Sequence, residues 1–262
     1  MTARFLNLEL NDRENERDAE QRVRPGAGFD AADYLTRAEA ACRLGEFEPA
    51  LQLYTRSLER DRTVVRAWVG QVQMLVQLGE LREARLWSDK ALEVFRDNGE
   101  LLAAKAQACA RLNDRKASFA CSDGALQAPG SSPWRWQARG EVLLAAGQPH
   151  HEECFRRALG ENGTDWFDRL AIARIYAYYQ RATNALTYAR AALELDATAV
   201  AAWFEMANCQ MKLGLTAAAR TSYEHCLELH SEFRPAQQAL DSIHTMSFGT
   251  WLRQLLRRRP RR

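Results

Sequence analysis

A leucine recurs through this chain at an almost fixed interval. Leu58, Leu92, Leu126, Leu159, Leu193 and Leu227 are separated by 34, 34, 33, 34 and 34 residues. A second series keeps the same phase: Gly45, Gly79, Asn113, Gly147, Gln180 and Gly214. A period of that length does not suit a globule with one central core. It calls for a stack of similar units, each burying its apolar face against its neighbours.

Each unit reads as helical. The residue before each leucine is small: Ser57, Ala91, Ala125, Ala158, Ala192 and Cys226. Eleven residues before each member of the glycine series stands a large side chain, Tyr34, Trp68, Leu102, Trp136 and Trp203, with Arg169 the exception. Seven before it is a small or branched one: Ala38, Val72, Ala106, Gly140, Ala173 and Ala207. Five after it come Ala50, Ala84, Ser118, Ala185 and Ala219. Steps of three and four, as in Leu51, Tyr54, Ser57 and Leu58, are helical spacing, without the alternation of strands. The glycine suits a turn that closes the first helix of each unit. Ser132-Pro133 marks a helix start, with a serine cap and a proline at the first helical position.

These units resemble tetratricopeptide repeats (TPR), whose pattern over 34 residues is W-x2-L-G-x2-Y, then A-x3-F, then P. Six copies fit, at 31–64, 65–98, 99–132, 133–165, 166–199 and 200–233, about four-fifths of the chain. Repeats 1, 2 and 6 fit best, as in "WFEMANCQMKLGLTAAARTSYEHCL" at 203–227. Repeat 4 is one residue short between Gly147 and Leu159, which predicts a tightened turn or a disturbed second helix. The closing proline is nearly absent; Pro129 alone is close to its place. The resemblance implies an all-α fold, a right-handed α-solenoid of about six helix-turn-helix repeats with a C-terminal capping helix over 234–246.

The flanks differ from the repeats. Residues 1–29 are mixed in charge and poor in apolar side chains, which predicts a disordered segment; Phe5-Leu6-Asn7-Leu8 is its one candidate docking stretch. No apolar leader or membrane span is evident, so a cytoplasmic protein is expected, peripheral to a membrane if the tail attaches it. The six cysteines form no C-x-x-C pair, and most fall on small buried repeat positions, as free thiols would. His150-His151 with Cys154, and His225-Cys226 with His230, lack ligand spacing, so no metal is expected. No phosphate loop, dinucleotide fingerprint, zinc-protease motif or nucleophile elbow occurs, which argues for a non-enzymatic protein without cofactor.

In the family this chain resembles, the first helix of each repeat lines a concave groove at its second, fifth, ninth, twelfth and thirteenth positions. Carried over, the groove comprises Leu35, Val69, Gln73, Trp134, Gln137, Phe167, Leu170, Arg174, Tyr178, Phe204, Asn208, Met211 and Lys212. Glu39, Arg66, Val76, Ala103, Gln107, Arg111, Glu141 and Leu144 fall on the same face. Family members that grip chaperone C-terminal carboxylates use Lys and Asn at the fifth and ninth positions. Here those positions hold Leu35 and Glu39, then Val69 and Gln73, which argues against that partner. The aromatic and Met side chains of repeats 4 to 6 suit an apolar helix or extended peptide instead.

Net charge is +2, unevenly placed. Residues 248–262 hold six arginines and no acid, leaving the rest at −4. Within them Trp251, Leu252, Leu255 and Leu256 fall at helical spacing among Arg253, Arg257, Arg258 and Arg259. A basic amphipathic tail (247–262) of this kind suits an anionic membrane surface or an acidic partner, or the protein's own groove. The residues thus point first to a protein-interaction scaffold or adaptor that binds in the concave face. The alternative is a membrane-associated assembly or secretion factor tethered by the tail. A nucleic-acid-associated regulator is less favoured, since only the tail arginines would serve it.

Overall fold

The structure, a computed structural model, describes residues 29–160, 164–243 and 245. Residues 1–28 and the tail positions Trp251, Leu252, Leu255, Arg257, Arg258 and Arg259 lie outside the described residues. Six helical hairpins follow one another: α1 (Ala31–Leu44) with α2 (Phe47–Arg60), α3 (Val65–Gln77) with α4 (Leu81–Val94), α5 (Gly99–Arg111) with α6 (Arg115–Gln127), α7 (Pro133–Ala145) with α8 (His151–Leu159), α9 (Trp166–Tyr178) with α10 (Ala182–Leu195), and α11 (Val200–Lys212) with α12 (Thr216–Leu229). Residues 234–243 form a further helix, α13. Among the described residues there is no strand. The architecture is the all-α solenoid expected from the repeat.

The glycine series closes the first helix of all six hairpins in the same way. Its members sit at positive φ, from 59° at Gln180 to 86° at Gly45. The next N–H then reaches back five residues: Glu46 N donates to Ala41 O, and the five equivalent bonds repeat it, each at 2.9 Å. This double-bonded cap satisfies carbonyls that a helix end would leave open. Asn113 and Gln180 take up the left-handed conformation despite carrying a Cβ, which explains how the series tolerates them without losing the turn.

The small-residue series lets the helices approach closely. Ala38, Val72, Ala106, Ala173 and Ala207 are fully buried, as are Ser57, Ala91, Ala125, Ala192 and Cys226. Two members of the second set carry a polar atom and use it alike. Ser57 Oγ donates to Ala31 O at 2.8 Å, and the Cys226 thiol donates to Val200 O at 3.6 Å. Larger rings fill the spaces opposite. A Cβ added to Gly70 would lie 2.2 Å from the Tyr54 ring, and one on Gly140 would lie 2.3 Å from Phe155.

The missing residue of the fourth repeat is absorbed by α8, which has only nine residues. His151 occupies the start of that helix, its ring edge-on to Phe155 at 5.9 Å and to Tyr176 at 6.0 Å. At the other end of the array, α13 turns Ala236, Leu240 and Ile243 onto Tyr223 and Phe233 and leaves Gln237, Gln238 and Asp241 exposed. It covers the apolar side of the last hairpin, as a stacked array requires.

The Gly70–Tyr54 contact yields a test of this packing. Gly70→Ala should cost about 2 kcal/mol, because the ring must leave its place in a close-packed site. Urea denaturation should show a lowered midpoint at unchanged m-value.

Candidate functional site

The first helices of the hairpins stand side by side on the inner face: α5 touches α3 and α7, and α9 touches α7 and α11. Polar side chains bind them in sequence. Glu141, fully buried, accepts from Gln107 Nε2 at 2.6 Å and from Arg111 Nε at 2.7 Å. Arg111 also donates to Val76 O at 3.0 Å and lies over the Tyr178 ring at 4.3 Å. Burial alone would lower the Arg111 pKa, but the charge of Glu141 and its hydrogen bond hold it above the ordinary value. Lys212 repeats the device three hairpins on, donating to Ala177 O at 3.0 Å. Both cations meet the carbonyl end of the preceding inner helix, the end of the helix dipole that favours them. Gln137 Nε2 donates to Asp168 at 2.9 Å, and burial raises the Asp168 pKa against that hydrogen bond.

The curl is tight enough for the first hairpin to meet the fifth and sixth. Arg43 donates through both terminal nitrogens to Asp165, at 3.1 and 2.9 Å, across 122 residues. Its guanidinium lies 4.8 Å from the Trp166 ring and 5.1 Å from Phe167. Arg174 sits between Phe47 of the first hairpin, at 4.8 Å, and Phe167, at 5.8 Å. A Cβ on Gly45 would lie 3.4 Å from both Ala201 and the Arg174 guanidinium, and 3.9 Å from Phe233. The hydrogen bond from Arg43 holds the Asp165 carboxyl below its ordinary 3.8. Desolvation lowers the Arg174 pKa and raises that of Glu205, each opposed by the other's charge.

Beside this seam a recess of about 280 Å³ opens between the first, second and fifth hairpins, lined by Glu39, Arg43, Tyr54, Arg66, Gln73 and Phe167 among others. Arg66 is held by Glu39 at 2.7 Å. Burial raises the pKa of Cys42, which also faces the recess and is kept as a thiol.

The sequence-expected groove divides between packing and surface. Leu35, Gln137 and Leu170 are buried and brace neighbouring helices. Trp134 is half-buried against Ala103, Ala125 and Ala138. Phe204 is half-buried, its ring against Tyr223 at 5.7 Å and Phe233 at 5.3 Å, and Met211 packs on the same cluster. Asn208 accepts from the Tyr223 hydroxyl at 2.7 Å. Val69, Gln73, Phe167 and Arg174 are half-buried, while Tyr178 and Lys212 are exposed. Gln73 and Phe167 come together in the recess. Sequence reasoning did not single out Arg43, Phe47 or Asp165. No local pattern marks them, because their meeting depends on accumulated curvature.

The tetratricopeptide-repeat family model matches residues 200–232. A tetratricopeptide-repeat protein from Parabacteroides merdae is similar at 15% identity, covering 92% of this chain and 94% of that one, with a TM-score of 0.53. YrrB, a TPR protein with an unusual peptide-binding site, is similar over 71% of this chain and 96% of its own, at 19% identity and a TM-score of 0.40. The TPR2AB domain of yeast Sti1, solved in complex with pHSP90, is similar over 82% and 97%, at 14% identity and a TM-score of 0.36. No curated protein matches the chain. Repeat, caps and fold together are those of a tetratricopeptide-repeat solenoid.

Three outcomes follow from the inner face and the seam. Glu141→Gln should destabilise the protein by roughly 3 kcal/mol, since it leaves Arg111 buried without its counter-charge; thermal denaturation measures it. Arg43→Ala removes a half-exposed pair worth about 0.5–1 kcal/mol, so hydrogen exchange at 31–49 should quicken two- to fivefold. Because the Asp165 pKa is lowered, its contribution is present above the ordinary carboxyl value and is lost as pH falls through the folded value. Exchange in wild type should therefore approach that of Arg43→Ala on acidification below that range.

Proposed function

We propose that this protein is a non-enzymatic interaction scaffold that grips a segment of a partner protein at the inner mouth of its superhelix. Solenoids of this kind use their concave side as a binding surface. One observation carries the placement: hairpins distant in sequence bring Arg66, Gln73 and Phe167 to a single recess, with Tyr178 exposed further along the inner face. An aromatic wall beside amide and guanidinium donors suits an extended segment, with an apolar side chain against Phe167 and backbone carbonyls toward Gln73 and Arg66.

The mouth is more polar than the run of aromatics in repeats 4 to 6 suggests, because Leu170, Trp134 and Phe204 are engaged in packing. The favoured partner accordingly mixes apolar and polar side chains. Leu35 is buried and Glu39 holds Arg66, so those two positions offer no cation to a chaperone carboxylate. Among the described residues no helix is long and apolar enough to cross a membrane, and no group of three or more His, Cys, Asp or Glu is placed to hold a metal ion.

Affinity capture from native lysate, read by mass spectrometry, tests the placement. Arg66→Glu combined with Tyr178→Ala should lower recovery of the wild-type partners at least tenfold at unchanged helicity. Undiminished recovery would remove the recess from the binding surface.

A further inference from the structure

A second, larger recess lies on the same seam and is distinct from the inner mouth. Its volume is about 740 Å³, within the roughly 300–1,000 Å³ range of ligand clefts. One wall is the turn of the first hairpin, with Glu46, Phe47 and Glu48; the other includes Glu232 and Pro235 at the start of α13, and Leu78 also lines it. Three carboxylates thus stand over an apolar lining. Arg234 and His230 are the remaining ionisable groups on the wall.

We propose that this recess is the docking surface for the chain's own basic segment, residues 251–259. Three arguments select it. The segment pairs apolar side chains (Trp251, Leu252, Leu255 and Leu256) with Arg253 and Arg257 to Arg259, which is the complement of an apolar lining with an acidic rim. The reach is sufficient. At about 1.5 Å per helical residue, the end of α13 lies about 15 Å from its start at the recess, and the six residues 246–251 span up to ~20 Å. Gly249 lies within that span and permits a reversal. The competing segment of this chain, residues 1–28, holds five arginines and six acids, so its charge does not complement the carboxylates. Seated there, residues 251–259 touch both walls of the recess, the first hairpin and α13. The inference does not depend on what the inner mouth binds.

The test uses the full chain with a benzoylphenylalanine photocrosslinker in place of Leu255. Irradiation should give an intramolecular product mapping to 45–49 or 230–238. Its yield should fall at least fivefold in 0.5 M NaCl, and likewise with Arg257→Glu, Arg258→Glu and Arg259→Glu, which lie outside the repeats and leave their packing untouched. Adding Glu46→Lys, Glu48→Lys and Glu232→Lys to those three should restore it. Capture elsewhere on the chain, only between two copies, only on added phosphatidylserine vesicles, or not at all would overturn the proposal, as would a yield indifferent to charge.

Discussion

Close approach of helix backbones at small side chains is the constraint from which the rest of this structure follows. Where Ala38, Ala106, Ala173 or Ala207 stands in a first helix, there is no bulk to hold the neighbouring helix away, and the large rings are confined to the spaces left over. The approach angle repeats with the residues, so curvature accumulates from hairpin to hairpin. In the middle of the array the inner helices α5 and α7 pack directly on one another. There Gly99 leaves room for the Arg135 guanidinium, which fastens the preceding loop through the carbonyls of Ala128, Pro129 and Gly130. Six hairpins with that curvature are enough to bring the first against the last two.

The closure changes what the inner face is made of. An open concave array presents its inner-helix side chains to solvent. Here the same positions are divided between holding the curl and lining the smaller, inner recess. Glu141, Arg111 and Gln107 form a buried network in which both Glu141 carboxylate oxygens accept hydrogen bonds while Gln107 Oε1 is left without a partner. Such a network specifies one arrangement of the helices more than it stabilises them, since its desolvation offsets much of the attraction. Arg43 and Arg174 do comparable work at the seam through aromatic faces, which suit guanidinium groups at sites only partly open to water.

The fold was legible in the sequence because everything that defines a hairpin is local. A positive φ at a fixed position, a small residue before a leucine and a large one eleven residues before the turn all lie within one 34-residue window. Even Asn113 and Gln180 could be placed in the turn series by phase alone. The irregular fourth repeat was legible too, because one missing residue must shorten something between Gly147 and Leu159. The surface was less legible. Leu170 and Gln137 hold groove positions by register, yet both are buried, because register gives the side of a helix and not what lies across from it. The Arg43–Asp165 contact left no trace in either local sequence, since it depends on the summed rotation of the intervening hairpins.

In a linear repeat array each unit touches only its neighbours, and the outermost units fray independently of the centre. The contacts of Arg43 with Asp165 and of Arg174 with Phe47 remove that freedom by making the array cyclic in its connectivity. The first hairpin then has neighbours on two sides, as an internal one does. Loss of structure at one end is felt at the other, and unfolding becomes more cooperative than the nearest-neighbour rule for a row of repeats would give.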